Sequence, residues 1–110
     1  MLEKTTRVNL LCDFYAPLLT EKQRSMLELY FHEDWSLGEI AAEYEVSRQA
    51  VFEAIKRAQG VLEETESHLM LLDKHQKRRR ITGEIAEAVS SDPELKLKIT
   101  PLLEELLQLD

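Results

Sequence analysis

From Val51 onward, apolar residues return at alternating steps of four and three. The set is Val51, Ile55, Ala58, Leu62, Thr65, Leu69 and Leu72, with Thr65 its one polar member. Such spacing marks one face of a helix and reads as a heptad seam. A strand cannot bury this set, because its side chains change face at every step. The seam predicts a helix from about Arg48 to the high 70s, roughly 45 Å long at about 1.5 Å per residue. Gly60 lies inside that span and costs about 1 kcal/mol against alanine. It is the expected place for a bend or a break. The seam has two uses open to it. It can pack within the domain, against the first helix and the C-terminal helices, or it can join two copies as a homodimer, with Thr65 as a weak layer.

The rest of the chain reads as helices joined by short connections. Leu, Glu, Ala, Lys and Arg dominate, β-branched runs are absent, and only three glycines and three prolines interrupt. The fold class is therefore all-α. Thr6 is the expected cap of a first helix carrying Val8, Leu11, Phe14, Tyr15 and Leu18, disrupted by Pro17. Thr20–Gln23 reads as a capping box. It opens a second helix to about Phe31, with Met26, Leu27, Leu29, Tyr30 and Phe31 inward. Ser36–Glu39 is another capping box, for a third helix ending near Tyr44, and Ser47 caps the long fourth helix. The run Lys74–Arg80 is expected to end that helix. Thr82 is the expected cap of a fifth. Asp92-Pro93 starts a sixth, and Thr100-Pro101 repeats the start signal, so 93–109 forms two short helices or one kinked one. At 110 residues the chain is one domain or one with an appendage. The expected division is a core over 1–72 and a helical extension over 73–110 that packs on the long helix.

Charge narrows the functional classes. The formal net charge is −7. Residues 1–60 hold 7 basic and 10 acidic residues, and residues 61–110 hold 7 and 11. Phosphate binding draws its affinity from a basic field, so a nucleic-acid site must be local. No apolar run approaches a membrane span, and the N-terminus lacks a signal-peptide pattern. With a single cysteine, Cys12, a cytoplasmic location is expected. Cys12 has no histidine within a helical turn. His32, His68 and His75 share no metal spacing with a cysteine pair, and Glu64 with His68 is a weak pair. No glycine-rich phosphate loop is present. No catalytic residue, metal or cofactor is expected.

The stretch from Ser36 to Ala58 carries a helix-turn-helix pattern. Ala41 is the small residue that lets two backbones approach. Ile40 and Tyr44 face inward, Val46 follows the turn, and Val51 and Ile55 bury the second helix. Ser47 caps that helix and leaves Arg48 and Gln49 in its first turn, where base edges are reached. The turn position that usually holds left-handed glycine holds Glu45, at a cost of roughly 1–2 kcal/mol.

Leu18–Glu63, "LLTEKQRSMLELYFHEDWSLGEIAAEYEVSRQAVFEAIKRAQGVLE", resembles region 4 of bacterial sigma factors. The resemblance widens with "LCDFYAPLLTEKQ" before it and a leucine-rich tail after it. Nearly the whole chain then resembles the YlxM family, small bacterial proteins with a sigma-like helix-turn-helix. That resemblance implies a sigma region 4-like core with a long helix and a C-terminal helical extension. It also implies a regulatory part in the signal recognition particle pathway, whose GTPase gene typically lies beside the YlxM gene. The particle's GTPase or its RNA are then the expected partners, with DNA as the alternative.

The sigma resemblance places capping, phosphate and base contacts at Ser47, Arg48, Lys56 and Arg57, and Gln49 joins them as a nucleic-acid-binding candidate through its place in the first turn. It departs at Ala50, Phe52 and Glu53, where sigma factors usually carry arginine or glutamine. Lost donors cost bidentate base contacts of about 1–3 kcal/mol each. Phe52, if exposed, suits a protein partner; otherwise it is buried against a neighbouring helix. Lys74, Lys77, Arg78, Arg79 and Arg80 form a second basic run. It is either a solvated helix end or a phosphate-binding patch.

Overall fold

The computed structural model describes residues 2–109, with side chains from Thr5 onward. Among these residues every regular element is helical, so the fold is all-α. The elements are α1 (Leu2–Tyr15), α2 (Glu21–Leu27), α3 (Leu37–Tyr44), α4 (Arg48–Leu69), α5 (Leu71–Ala88) and α6 (Pro93–Gln108). A 3-10 turn at Ala16–Leu18 follows α1, and a π-helical turn at Glu28–His32 extends α2. The chain divides into two compact units, 1–70 and 71–110.

The caps form where local chemistry demands them. The Gln23 N–H donates to Thr20 Oγ1 at 3.1 Å, and the Thr20 N–H donates to Gln23 Oε1 at 3.0 Å. Ser36 and Glu39 exchange the same two bonds, each at 3.1 Å. Each reciprocal pair satisfies two orphan donors of a helix start. The Leu95 N–H donates to Asp92 Oδ1 at 3.1 Å, ahead of Pro93. The α6 helix then runs unbroken through Pro101.

Several expected boundaries move. Thr6 does not cap α1 but sits inside it on an exposed face. No breaker precedes Thr6, and Glu3 and Lys4 favour helix. Leu18 is 61% exposed, and Leu19 is buried in its place. The 3-10 turn around Pro17 advances the chain faster per residue than an α-helix, which changes the residue that turns inward. Leu29, Tyr30 and Phe31 are half-buried rather than core, because the helix widens into a π turn there.

The long helix ends at Leu69, not in the high 70s. Gly60 passes through it with helical hydrogen bonding on both sides. The break falls at Met70, in a left-handed conformation with φ 57°. Past Leu62 the buried position is Glu66, not Thr65, and Leu69 is half exposed. A straight helix drifts about 20° per heptad from a 3.5-residue seam, so the seam stops guiding burial before Leu69. The basic run therefore lies inside α5, and Thr82 is interior to α5 too. Its hydroxyl donates to the Arg79 carbonyl at 3.0 Å, a bond back along the same helix.

Unit 1–70 is built round α4. Helices α1, α2 and α3 all pack on it. Val8, Leu11, Tyr15, Met26, Ile40, Val51, Ala58 and Leu62 are buried between them. Within this apolar interior the Tyr15 hydroxyl donates to Glu66 Oε1 at 2.6 Å, which gives a buried carboxylate a charge-assisted partner. On the same interface Arg7 and Glu63 form a two-pronged ion pair at 2.7 and 2.8 Å near the surface. Unit 71–110 is a helical hairpin in which α6 lies against α5 across a short turn at 89–92.

Candidate functional site

The α3–α4 pair is a complete helix-turn-helix. The turn closes on two bonds to α3. Val46 N–H donates to the Ala41 carbonyl at 3.0 Å, and Glu45 N–H donates to the Ala42 carbonyl at 3.3 Å. Together they make a Schellman closure, with Glu45 in the left-handed seat at φ 55° and ψ 44°. Buried Ala41 gives the close approach, and Ile40, Val51 and Ile55 seal the angle from within. The Tyr44 hydroxyl donates to Ser25 Oγ at 2.6 Å, which ties α3 to α2.

Ser47 caps α4 by accepting the Ala50 N–H at 3.0 Å. Arg48 and Gln49 thus occupy the first turn, both exposed. At about 100° per residue, Arg48, Gln49, Phe52, Glu53 and Lys56 share one outward face, with Arg57 at its edge. All six are exposed. Among the described residues, Arg48, Lys56 and Arg57 have no ion-pair partner. Glu53 accepts from the Gln49 amide at 3.3 Å, so one carboxylate on this face is held by a neutral neighbour. The face carries a local positive excess on an acidic chain.

Phe52 is 47% exposed in the middle of that face. It borders a groove of about 420 Å³ also lined by Tyr30, Phe31, Trp35, Leu37 and Lys56. Tyr30 and Phe31 meet edge to face at 5.0 Å. The π turn sets these two rings side by side, and Asp34 at φ 58° turns the chain so that the Trp35 N–H reaches the Leu29 carbonyl at 2.9 Å. Tyr30 and Phe31, expected in the core, instead line this groove half-buried. The one signal in the sequence was the density of rings between Tyr30 and Trp35.

The second basic run is distributed differently. Lys77, Arg78, Arg79 and Arg80 are consecutive on α5, so they point round most of the helix circumference instead of forming one face. Lys77 pairs with Asp73 at 2.9 Å, and Arg78 is half-buried with partners of its own. Lys74, Arg79 and Arg80 are exposed.

Burial, with Asp13 close by, pushes the Cys12 thiol above its usual range, which suppresses the thiolate. Among the described residues no group of three or more His, Cys, Asp or Glu side chains is gathered to hold a metal. No helix of the described residues is long and apolar enough to cross a membrane.

Comparison with known proteins agrees with this geometry. Residues 2–101 match the family UPF0122, described as "Putative helix-turn-helix protein, YlxM / p13 like". UPF0122 proteins of Bacillus thuringiensis (strain Al Hakam), Bacillus cereus (strain AH187) and Bacillus anthracis (strain A0248) are each 48% identical to the chain over 110 residues, covering all of both sequences. The chain belongs to the UPF0122 family of YlxM/p13-like helix-turn-helix proteins.

Proposed function

We propose that this chain is a non-catalytic regulatory protein that acts through the outward face of α4, within the signal recognition particle targeting pathway. The observation that carries the reading is Phe52. A phenyl ring half exposed at the centre of a recognition helix, beside an aromatic groove, suits a macromolecular partner better than a base edge. Arg48, Lys56 and Arg57 surround it, without ion-pair partners among the described residues, and supply phosphate or carboxylate contacts. The pathway is what the YlxM resemblance implies. Its GTPase and its RNA are the partners proposed, in the cytoplasm.

A second reading has its own support. Ser47, Arg48 and Gln49 sit at the start of α4, where a helix-turn-helix reads the major groove. That favours sequence-specific binding of duplex DNA as a transcriptional regulator.

Fluorescence anisotropy separates the two. The purified protein is titrated against the particle's RNA, its labelled GTPase and random duplex DNA, at two salt concentrations. The accessory role expects binding to the RNA or the GTPase, lost in Phe52→Ala. The DNA role expects binding to duplex, with a salt slope near −0.9 per phosphate contact. It also expects that affinity to fall in Arg48→Ala and Lys56→Ala. Duplex binding alone, unaffected by Phe52→Ala, would overturn the targeting role.

A further inference from the structure

The groove beside Phe52 combines flat apolar faces with polar groups that nothing in the protein engages. Phe52, Lys56 and Gln59 line it from α4, with buried Ile55 among them, since these positions fall on one side of a helix. Tyr30, Asp34 and Trp35 line it from the π turn and the loop before α3. Among the described residues the side chains of Tyr30, Asp34, Trp35, Lys56 and Gln59 make no hydrogen bond or ion pair with the rest of the protein. Tyr30, Trp35 and Gln59 are half-buried, yet none of their polar atoms is cut off from water. A plain apolar anchor laid in this groove would cover those groups without pairing them, at a cost in free energy. A ligand with a flat apolar face and a polar edge covers and pairs them at once.

Charge says which ligand of that kind fits. Lys56 and Asp34 have opposite signs and line the same groove, but do not pair. Arg48, one turn before Phe52 on the same side of α4, adds a second cation without an ion-pair partner among the described residues. The neighbouring acids are engaged or set aside. Glu63 holds Arg7, Glu53 accepts from Gln49 about a quarter turn round α4, and Glu33 lies outside the lining. An unpaired nucleotide carries the complement of this arrangement. Its base offers a π face to the rings and amino groups to the Asp34 carboxylate, and its phosphate suits Lys56 and Arg48. The volume of about 420 Å³ lies in the range of sites that enclose a small organic group. A duplex keeps its bases stacked, whereas the loops and bulges of an RNA present them splayed out.

We propose that the groove between Phe52 and Trp35 holds an unpaired nucleotide of a single-stranded RNA, its base against the Phe52 ring and its phosphate on Lys56. This deepens the function proposed above and rests on it, since it names the part of an RNA that the outward face of α4 grips. The rings supply affinity that tolerates any base, and the acidic chain needs few phosphate contacts because stacking carries part of the binding.

Trp35 is the only tryptophan of the chain, so its fluorescence reports on this groove. The full chain is titrated with a mixed-sequence single-stranded RNA of about ten nucleotides, and with the same strand annealed to its complement. The single strand should quench Trp35, and the duplex should not. Phe52→Leu keeps apolar bulk and loses the ring, and should weaken single-strand binding, read by anisotropy, roughly five- to hundredfold. Phe52→Tyr keeps the ring and should bind as the unaltered protein does. Phe52 is exposed, so circular dichroism should show the same helix content in both variants. Lys56→Gln should flatten the salt slope by about 0.7, the share of one phosphate contact on a single strand. Single-strand binding that leaves Trp35 unchanged, or that is equally tight in Phe52→Leu, would overturn the groove as a nucleotide site. So would a duplex that binds as tightly with the same quenching. A protein that ignores the RNA but binds the labelled GTPase, with loss in Phe52→Ala, would overturn this inference and leave the targeting role standing. Failure to bind either would overturn both.

Discussion

Glu45→Gly should stabilise the protein, against the usual direction of a point mutation. Glu45 sits at φ 55° and ψ 44° in the turn of the helix-turn-helix. A left-handed seat costs a residue with a Cβ roughly 1–2 kcal/mol. Glycine removes that strain, and gives back about 0.4–1 kcal/mol through the greater freedom of the unfolded chain. The net gain is about 0.5–1 kcal/mol. For a unit of this size that raises Tm by roughly 3–6 °C. A second contribution has to be separated out. The Glu45 carboxylate stands at the C-terminal end of α3, where the helix dipole disfavours negative charge by a few tenths of a kcal/mol. Glu45→Ala removes the charge and keeps the Cβ. Thermal and urea unfolding of the three proteins side by side gives the comparison. The glycine variant should exceed the alanine variant, with an unchanged urea m-value. Equal stability of the two variants would refute the strain account and assign any gain to charge. A glycine variant less stable than the unaltered protein would mean that the Glu45 side chain makes a contact worth more than the strain.

Three further outcomes follow from the same geometry. Gly60→Ala should add up to about 1 kcal/mol by urea unfolding, since the glycine is mid-helix and a Cβ there meets nothing within 4 Å. Tyr15→Phe takes away the hydroxyl that donates to buried Glu66, and should cost about 1–3 kcal/mol, read as a fall in the urea midpoint. The Arg7–Glu63 pair holds the Glu63 carboxyl below its usual range, chiefly through the Arg7 hydrogen bond. A depressed carboxyl pKa contributes stability above the unfolded value and loses it as pH falls through the folded one. Glu63→Gln should thus cost about 0.2–1 kcal/mol at pH 7, screened by salt, and nothing once the carboxyl of the unaltered protein is protonated. Urea titrations of both proteins across acidic pH would show the difference close.

What could be read from the sequence was what a few neighbouring residues decide among themselves. The capping boxes at Thr20 and Ser36, the caps at Ser47 and Asp92, and the left-handed seat at Glu45 each depend on a hydrogen bond or a dihedral spanning at most five residues. They are where the sequence placed them. The elements that moved depend on what a helix face meets elsewhere. The seam from Val51 reads identically whether or not its later members are buried. The pattern gives no reason to prefer a break at Met70 over one at Gly60. The π turn at Glu28–His32 has no local signature, since it adds one residue to a turn without a special residue type.

The same division explains the candidate site. Arg48, Gln49, Lys56 and Arg57 could be found because a cap fixes the phase of the helix that carries them. Four points on a known helix then define a face. The aromatic groove could not be found, because Phe52 and the Tyr30–Trp35 rings meet only through the packing of α2 and α3 on α4. The run at Lys74–Arg80 fails in the opposite sense. It is dense in sequence and dispersed in space, since four consecutive residues at about 100° each sweep most of a helix circumference. A phosphate backbone meets a face and not a sequence run. By that measure the sparse cations of α4, Arg48 and Lys56 eight residues apart on one face, are the better-formed candidate site.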